Sequence, residues 1–252
     1  GSLPGSCPTL YDYYFNEAMI RWVPWTDEVK DYEHIPGQPF ANILVPTVDT
    51  VTFTYHLQWN LNIFRPVVYA GDVGTAKTVT IQNFLKNLSP DKFTFLNINF
   101  SSRTTSLALQ RNLESNVEKR TKDTYGPAGG KKLMLFIDDM NMPKVDLYGT
   151  QQPIALLKLL LGQGGVYERG ENFKSGEGTN WKNIKDVGYF AAMGPPGGAR
   201  STVDPRFISM FSVFNIPFPS DTSLTMIFSS MLKHHLQAFN QTVQAAGGKL
   251  TE

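Results

Sequence analysis

One eight-residue string constrains the fold of this chain more than any other feature of the sequence. Residues 71–78 read GDVGTAKT and follow a short apolar run at 66–70, the pattern of a buried strand that ends in a loop. Residues 78–88 carry apolar side chains at the spacing of a helix with one buried face. The string matches the phosphate loop G-x-x-x-x-G-K-[ST] except that Ala76 replaces the second glycine. We therefore predict a strand, a phosphate-binding loop and a helix in this order.

This loop predicts a role for each of its residues. Its backbone N–H groups turn inward around phosphate groups at the N-terminus of the helix. Lys77 would reach the β- and γ-phosphates of a bound nucleotide, and the Thr78 hydroxyl would bind Mg²⁺. Alanine lacks glycine's ease at positive φ, so we expect an ordinary helical conformation at Ala76. The predicted phosphate-binding residues are Gly71, Asp72, Val73, Gly74, Thr75, Ala76, Lys77 and Thr78.

A pair of carboxylates forms a second motif. Asp138, sixty-one positions after Lys77, closes the apolar run at 133–137, and Asp139 follows it directly. A P-loop protein needs a carboxylate at this point to hold Mg²⁺ directly or through water, so we expect Asp138 to share the metal with Thr78. Adjacent carboxylates near a core are costly unless a cation or strong donors compensate them. The two motifs together favour a Mg²⁺-nucleotide site over the alternatives, which are a glycine-rich turn with a surface lysine and a solvated strand end.

The rest of the chain alternates predicted strands and helices. Further strands are predicted at 93–100, 133–137, 187–193 and 211–216, and further helices at 51–62, around Leu109 to about Arg120, and at 153–161. Strands separated by helices and short loops indicate a parallel sheet covered on both faces. Residues 7–50 are aromatic and punctuated by proline, which favours an irregular segment packed on a core. The polar stretch at 166–185 is expected to form an exposed hairpin or a mobile insertion, and 221–245 an amphipathic helix.

Composition argues against several classes of partner. Lysine and arginine total 23 against 22 acidic residues, so the net charge of +1 gives no broad electrostatic reason to expect nucleic acid or an anionic membrane surface. No apolar stretch reaches the roughly 20 residues that span a bilayer, so we expect no membrane partner. The single cysteine, Cys7, cannot form an internal disulfide, which indicates a reducing compartment such as the cytoplasm. The four histidines lack metal-ligand spacing, and we assign no metal to them.

Four strings, taken in order, point to a family. They are ILVPTVDT at 43–50, INFSSRTTS at 98–106, FIDDMNMP at 136–143 and MGPPGG at 193–198. Together they resemble the third AAA+ module of the dynein heavy chains, most closely that of the axonemal ones. The resemblance runs from about Trp22 to Leu232. It is far more specific than the phosphate loop, which alone indicates only a P-loop NTPase.

The resemblance implies a fold and a division of the chain. The implied fold is an α/β P-loop NTPase of the AAA+ type, in which helices flank a parallel sheet, with only the start of the helical lid subdomain. Residues 1–21 would then be a linker and an irregular N-terminal segment. Residues 22–220 would form the large α/β nucleotide-binding subdomain, and 221–252 the first helix of a truncated lid.

The resemblance also implies roles for residues outside the phosphate loop. Asp139 occupies the place of the glutamate that orients the attacking water in AAA+ ATPases, so it is the expected catalytic carboxylate. Asn99 matches a polar switch that holds this carboxylate, although a structural asparagine at a strand end is an equal alternative. Val45 and Pro46 would line part of the adenine pocket, and the alternative there is a strand that only packs in the core.

Two arginines and the end of the fourth strand bear on hydrolysis. Arg206 matches the arginine finger that projects toward the neighbouring module, Arg200 is its competitor for that role, and the alternative for either is a surface arginine. Asp139 is one methylene shorter than glutamate, and Gly194 stands where AAA+ proteins commonly carry asparagine or threonine. Two functions follow: a module that binds Mg-ATP and hydrolyses it slowly, and a regulatory relay that holds ADP. In either case we expect the chain alone to turn over below about 1 s⁻¹.

Partners and location follow from the same resemblance. The implied partners are the neighbouring AAA+ modules of the same heavy chain, with microtubules contacted only through other parts of the motor. The implied location is the cytoplasm, in the cytoskeleton of the ciliary axoneme. The module would contribute there to ATP-driven movement along microtubules.

Overall fold

A computed structural model describes most of the chain. The described residues are 5, 8–33, 35, 37, 39, 43–169, 181–236 and 239. Their helices are α1 (Val48–Asn62), α2 (Lys77–Lys86), α3 (Ser106–Glu114), α4 (Gln152–Gln163), α5 (Pro205–Ile208) and α6 (Asp221–Leu236). Their strands are β1 (Tyr13–Asn16), β2 (Arg21–Pro24), β3 (Val67–Ala70), β4 (Phe93–Asn99), β5 (Glu118–Lys119), β6 (Thr124–Gly126), β7 (Lys132–Asp138), β8 (Gly165–Tyr167), β9 (Trp181–Ile184), β10 (Val187–Met193) and β11 (Ser212–Asn215).

Two compact units divide the chain. One unit comprises residues 57–218, and the other comprises 1–56 together with 219–252. The boundary between His56 and Leu57 falls within α1. The division at residues 22 and 221 that the resemblance implies stays a prediction.

The unit of residues 57–218 contains a parallel sheet of five strands in the order β11-β3-β10-β7-β4. Within it Met193 pairs with Ala70, and Asn99 pairs with Asp138. Because all five strands run in the same direction, their carboxyl ends meet at one edge of the sheet. The loops that follow β3, β7 and β10 therefore leave from the same edge. The predicted parallel sheet with intervening helices is confirmed.

The central part of the core is supplied by β7. Five consecutive apolar side chains at 133–137 are at most 1% exposed, which explains why this strand reads as an uninterrupted apolar run. Alternate side chains of the run join a cluster that contains Leu109 of α3 and Leu157 of α4. The ring of Phe84 in α2 contacts that of Phe190 in β10. The sheet is thereby enclosed by helices, and its carboxyl edge is left for loops.

The third helix is shorter than the sequence pattern predicts. We expected it to reach about Arg120, but it ends at Glu114, and the chain then forms β5. The side-chain amide of Asn116 donates to the carbonyl of Asn112, which lies at the end of the helix. A side chain that satisfies a terminal carbonyl in this way favours a stop over continuation.

A second sheet of the same unit has the strand order β5-β6-β9-β8. Its strands β8 and β9 pair antiparallel, which agrees with the expected hairpin, but Val166 and Ile184 are buried, so the paired strands are not exposed as predicted. Lys182 of β9 forms ion pairs with Glu114 and Glu168 at 3.2 and 3.3 Å. Residues 170–180, to which the predicted mobile insertion refers, lie outside the described residues.

The other unit contains a hairpin within the segment that we expected to be irregular. Strands β1 and β2 pair antiparallel, with Tyr14 opposite Val23. The ring of Tyr14 stacks on Trp25 with centroids 4.8 Å apart, and Tyr55 meets Trp25 edge-on at 5.1 Å. These aromatic contacts support a short hairpin despite the prolines in the segment.

The last described helix, α6, begins at Asp221 as predicted. It is described as far as Leu236, and of the further residues assigned to it by the sequence only 239 is described. Ser223 of this helix donates to the carboxylate of Asp49 at 3.3 Å within the same unit. In the described part of the chain, no helix combines the length and the apolar character needed to cross a bilayer.

Candidate nucleotide site

The phosphate loop connects β3 to α2, and its two glycines serve different purposes. A Cβ on Gly71 would lie 2.3 Å from the carbonyl oxygen of Ile216, so only glycine allows the chain after β11 to pass this closely. The Ile216 N–H donates to the Ala70 carbonyl at 2.7 Å and fixes that approach. Gly74 has a φ of +86°, with no atom within 4 Å of where its Cβ would be. Gly74 therefore supplies the turn and leaves the space beside it open.

Ala76 does not have the helical conformation that we predicted. Its φ of 58° and ψ of 17° are left-handed, and it is the N-cap of α2. This conformation directs the loop into the helix. For a residue with a Cβ it costs about 1–2 kcal/mol. Ala76 also has no side-chain acceptor, so the N–H groups in the first turn of α2 receive no cap from it.

Lys77 folds back over its own loop. Its Nζ donates to the carbonyl of Asp72 and to Oγ1 of Thr75, the latter at 3.1 Å. Thr75, which is buried, donates in turn to the same Asp72 carbonyl at 2.9 Å. Burial lowers the pKa of Lys77, the charge of Arg200 lowers it further, and the carboxylate of Asp138 opposes both effects. The ammonium is thus partly desolvated, which strengthens its attraction to an anion.

Thr78 and Asp138 meet at the carboxyl end of β7. The Thr78 hydroxyl lies 3.0 and 2.9 Å from the two carboxylate oxygens of Asp138. The Asp139 N–H also donates to Asp138 Oδ1, at 3.0 Å. Burial raises the pKa of Asp138, although these hydrogen bonds act in the opposite direction. A hydroxyl and a carboxylate side by side are hard oxygen donors of the kind that Mg²⁺ prefers, and a cation here would offset the cost of burying the charge.

Asp139 is held in a left-handed conformation and forms an ion pair. Its φ is 50°, a value that aspartate tolerates better than most residues. Its Oδ1 accepts from Nη2 of Arg200 at 3.2 Å. We considered Arg200 only as a competitor for the arginine finger, and its contact with Asp139 depends on a loop course that the sequence does not reveal.

A buried asparagine ties the two loops of the site together. Asn141 is 2% exposed, and its side-chain amide donates to the Gly194 carbonyl at 2.8 Å. The Ser201 N–H donates to the Asn141 carbonyl at 2.9 Å, and the Met140 N–H donates to the Ala192 carbonyl at 3.0 Å. We predicted no role for Asn141 from the sequence. Its only signal was its place in the string at 136–143, directly after the two carboxylates.

These groups surround one cavity of about 290 Å³ at the carboxyl edge of the sheet. Its lining brings together six of the eight predicted phosphate-binding residues, those at 73–78, with Asp138, Asp139, Gly194 and Arg200. Of the predicted loop residues, Gly71 and Asp72 lie outside the lining and instead shape the loop. The cavity therefore presents two cations, a helix N-terminus and a hydroxyl–carboxylate pair to whatever enters it. The lining residues are Val73, Gly74, Thr75, Ala76, Lys77, Thr78, Val79, Asp138, Asp139, Met193, Gly194 and Arg200.

The remaining predicted site residues lie elsewhere. Asn99 ends β4 beside Asp138 in the sheet register, and its side chain is exposed. Arg206 is exposed in α5 and does not line this cavity; its N–H donates to Asp204 at 3.0 Å. Val45, which is buried, and Pro46, which is half-buried, belong to the unit of residues 1–56 and 219–252. Their predicted roles stay predictions.

Comparison with known protein families decides the class of this site. Residues 32–219 match the family described as the P-loop containing dynein motor region. The chain belongs to this family. Its match spans β3 to β11 and therefore includes the parallel sheet, the phosphate loop and both carboxylates of the site.

Relatives of this dynein motor region are axonemal and flagellar heavy chains. The human dynein axonemal heavy chain 10 is 57% identical over 251 residues, which cover 100% of this chain and 6% of that protein. The Dynein-1-alpha heavy chain of the flagellar inner arm I1 complex from Chlamydomonas reinhardtii is 52% identical over 228 residues, 90% of this chain and 5% of that protein. Mouse dynein axonemal heavy chain 2 is 39% identical over 253 residues. The chain thus spans only a small part of the length of these relatives.

Membership in the dynein motor family confirms several predictions. The α/β fold with a five-stranded parallel sheet is a P-loop AAA+ fold, and the predicted membership in the dynein motor family is confirmed with it. The axonemal and flagellar relatives agree with the expected location in the cytoskeleton of the ciliary axoneme. The assignment to one particular module of the motor is a finer statement and belongs to the proposal below.

Proposed function

We propose that this dynein motor region binds Mg-ATP and Mg-ADP as the third AAA+ module of an axonemal heavy chain, and that it hydrolyses ATP slowly. The observation that carries the proposal is the convergence of Lys77, Thr78 and Asp138 on one cavity. A helix N-terminus, a lysine and a hydroxyl–carboxylate pair are the parts that bind nucleotide phosphates and their metal in P-loop proteins. Membership in the dynein motor family supports the same reading.

The residues present fit a nucleotide and its Mg²⁺. The space beside Gly74 is open where a Cβ would project, so the backbone of the loop is accessible to a phosphate. The first turn of α2 lacks a side-chain cap from Ala76, which leaves its N–H groups available to an anion. Thr78 and Asp138 supply adjoining oxygens for the metal. When bound, Mg²⁺ would neutralise the negative charge of the phosphates.

Each residue then has a definite task. The Lys77 ammonium exchanges its bonds to Asp72 and Thr75 for bonds to phosphate oxygens, which a charge-assisted hydrogen bond favours. Thr78 and Asp138 would hold the metal through their side-chain oxygens. Asp139 orients the attacking water by accepting its hydrogen bond.

The second candidate function is a regulatory relay that holds ADP and transmits conformational change around the ring. The ion pair between Asp139 and Arg200 favours it, because the carboxylate expected to orient water is engaged by a cation. Aspartate is also one methylene shorter than the glutamate common at this position. A displaced base of this kind lowers the rate by up to about 10²-fold while binding is retained.

Further proposals concern the neighbours of this module. Arg206, exposed in α5, would project toward the nucleotide site of the neighbouring module and stabilise transition-state charge there. Asn99 would act as the polar switch of the catalytic carboxylate, and Val45 and Pro46 would line the adenine pocket. Microtubules would be contacted only through other parts of the motor, and the module would contribute to ATP-driven movement in the axoneme.

A binding titration tests the nucleotide site. We expect the 252-residue chain to bind Mg-ADP in isothermal titration calorimetry, and Lys77→Ala to weaken binding by about tenfold or more. Lys86→Ala is the matched control, because Lys86 is exposed in the last turn of the same helix and lies outside the cavity lining. Equal affinity of the wild type and Lys77→Ala would contradict the proposal, provided that thermal melting shows both to be folded.

A further inference from the structure

Arg200 reaches the cavity from a tight turn after β10. The backbones of Gly197 and Arg200 exchange two hydrogen bonds, with N···O distances of 3.1 and 3.0 Å. Gly197 and Gly198 have φ values of +142° and +60°, which glycine adopts without strain. The turn is thus closed by its own hydrogen bonds, and it directs the Arg200 side chain back across the end of the strand, where it joins the cavity lining.

Gly194 leaves room for the Arg200 side chain. A Cβ at Gly194 would lie 2.7 Å from Nε of Arg200, so a larger residue at this position would displace the arginine side chain from where it now lies. The φ of Gly194 lies outside the left-handed region, so its backbone does not itself require glycine. The position that commonly carries asparagine or threonine in AAA+ proteins is therefore occupied here by the arginine side chain of a later loop.

The guanidinium of Arg200 has a hydrogen-bond donor without a partner among the described residues, and it shares the cavity with a second cation, Lys77. Its Nη2 donates to Asp139 at 3.2 Å, while its buried Nε has no hydrogen-bond partner among the described residues. Lys77 lines the same cavity, so the two positive charges repel each other in the same space. An anion between them would relieve this repulsion. The planar fork of arginine suits the oxygens of a phosphate in particular.

We infer that Arg200 senses the γ-phosphate of a bound nucleoside triphosphate in its own module, with Gly194 providing the room for it. Without a γ-phosphate, Arg200 pairs with Asp139 and keeps that carboxylate engaged. With a γ-phosphate, the guanidinium donates to the phosphate and Asp139 is released to orient water. This inference rests on the proposed nucleotide site. It adds a specificity-determining residue, one that distinguishes a triphosphate from a diphosphate.

The test compares affinities for Mg-AMP-PNP, a non-hydrolysable triphosphate, and Mg-ADP, measured by calorimetry on the 252-residue chain. We expect Arg200→Met to weaken Mg-AMP-PNP binding by about tenfold or more, since a charge-assisted contact is lost, and to change Mg-ADP affinity less than about twofold. Arg111→Ala is the control, because Arg111 is exposed in α3 and does not line the cavity. It should change neither affinity.

Two more variants keep the inference testable if Arg200→Met fails to fold. Gly194→Ala places a Cβ against the Arg200 side chain and should reproduce the selective loss of Mg-AMP-PNP without any change of charge. Gly162→Ala is its control, since a Cβ there would meet only Met210 Cε at an ordinary 3.6 Å. Asp139→Asn removes the competing carboxylate and should strengthen Mg-AMP-PNP binding while Mg-ADP binding stays constant.

The outcomes separate this inference from the proposed function. If Arg200→Met and Gly194→Ala weaken the binding of both nucleotides equally, or change the binding of neither, the sensing role is overturned while the nucleotide site stands. A wild-type chain that binds neither nucleotide, like Lys77→Ala, would overturn both. A loss confined to the triphosphate in these variants, with Mg-ADP affinity preserved, supports the inference.

Discussion

Two residues of the site, Ala76 and Asp139, have left-handed backbones although neither is glycine. Ala76 directs the chain into α2, and Asp139 directs it away from β7. Unfavourable φ values at non-glycine residues persist where the surrounding structure enforces them, and they are concentrated at functional sites. The cost differs between the two positions, because aspartate tolerates this region better than alanine does.

Ala76→Gly is expected to stabilise the chain. The substitution removes a left-handed cost of about 1–2 kcal/mol but adds chain entropy in the unfolded state, so the free energy of unfolding should rise by about 0.5–1 kcal/mol. Ala108→Gly, at an exposed position inside α3, should lower it by a similar amount. Urea denaturation of both variants checks the pair. A destabilised Ala76→Gly would show that the left-handed conformation is not retained.

Asp139→Glu tests whether the short carboxylate limits hydrolysis. In a heavy chain that supplies the neighbouring module and the lid, we expect a gain in turnover at this site of up to about 10²-fold, because the base regains its reach. Mg-ADP affinity should stay within about twofold, since Asp139 does not hold the phosphates. Glutamate tolerates positive φ less well, so a modest loss of thermal stability should accompany the gain. Unchanged turnover would show that the length of the Asp139 side chain does not limit the rate of hydrolysis.

The site residues that lie in contiguous motifs were predictable from the sequence. Those that a loop brings to the site were not. The phosphate loop and the carboxylate pair were recognisable because strand, loop and helix follow one another directly in the chain. The contact between Arg200 and Asp139 spans sixty-one positions and depends on a turn, so no periodicity signals it. The left-handed Ala76 was predicted wrongly because alanine at this position suggested a helical conformation.

The strands of the central sheet bring the site together. Each loop of the cavity leaves the same edge, so Thr78 of α2 and Asp138 of β7 meet although they are 60 positions apart. The long strands were predictable as apolar runs because helices cover the sheet. The two-residue strand β5 and the three-residue strand β6 were not, since they are too short to show a period, and β6 pairs with β9, which lies far along the chain.

Gly71→Ala is expected to separate the ends of β3 and β11. A Cβ at this position would stand 2.3 Å from a backbone oxygen of Ile216, which cannot rotate away as a side chain would. We expect the free energy of unfolding to fall by about 1–3 kcal/mol, as for other overpacked positions. Gly162→Ala, inside α4, should instead raise it by about 0.4–1 kcal/mol. Thermal melting of both variants checks this contrast, and equal stability would argue against the close approach at Gly71.

The proposed nucleotide site has a cost for the stability of the whole chain, because it contains a buried charge, that of Asp138. Burial raises the pKa of Asp138, so the folded chain binds a proton at this carboxylate more tightly than the unfolded chain does. The stability contributed by this group is therefore present at low pH, falls as the pH rises through the ordinary aspartate value of about 3.9, and is fully lost above the raised pKa. A group that we propose to bind the metal thus destabilises the unliganded chain near neutral pH.

Asp138→Asn should make this cost measurable. Without Mg²⁺ or nucleotide, the variant is expected to be more stable than the wild type at pH 7, and the difference should shrink as the pH is lowered toward 4. Urea denaturation at several pH values measures it. Asp204, whose pKa is lowered by its hydrogen bond from Lys158, provides a comparison, because Asp204→Asn should lose stability at pH 7. A constant difference between Asp138→Asn and the wild type across this pH range would contradict the assignment.

The central claim is that this dynein motor region holds a nucleotide through Lys77, and the nucleotide released on denaturation tests it most directly. The purified wild-type chain and Lys77→Ala are denatured, and chromatography identifies what each releases. We predict that the wild type releases ADP, which it has either retained after slow hydrolysis of ATP or bound directly. Lys77→Ala should release no nucleotide. Equal amounts from the two chains, or none from either even after incubation with Mg-ADP, would contradict the claim.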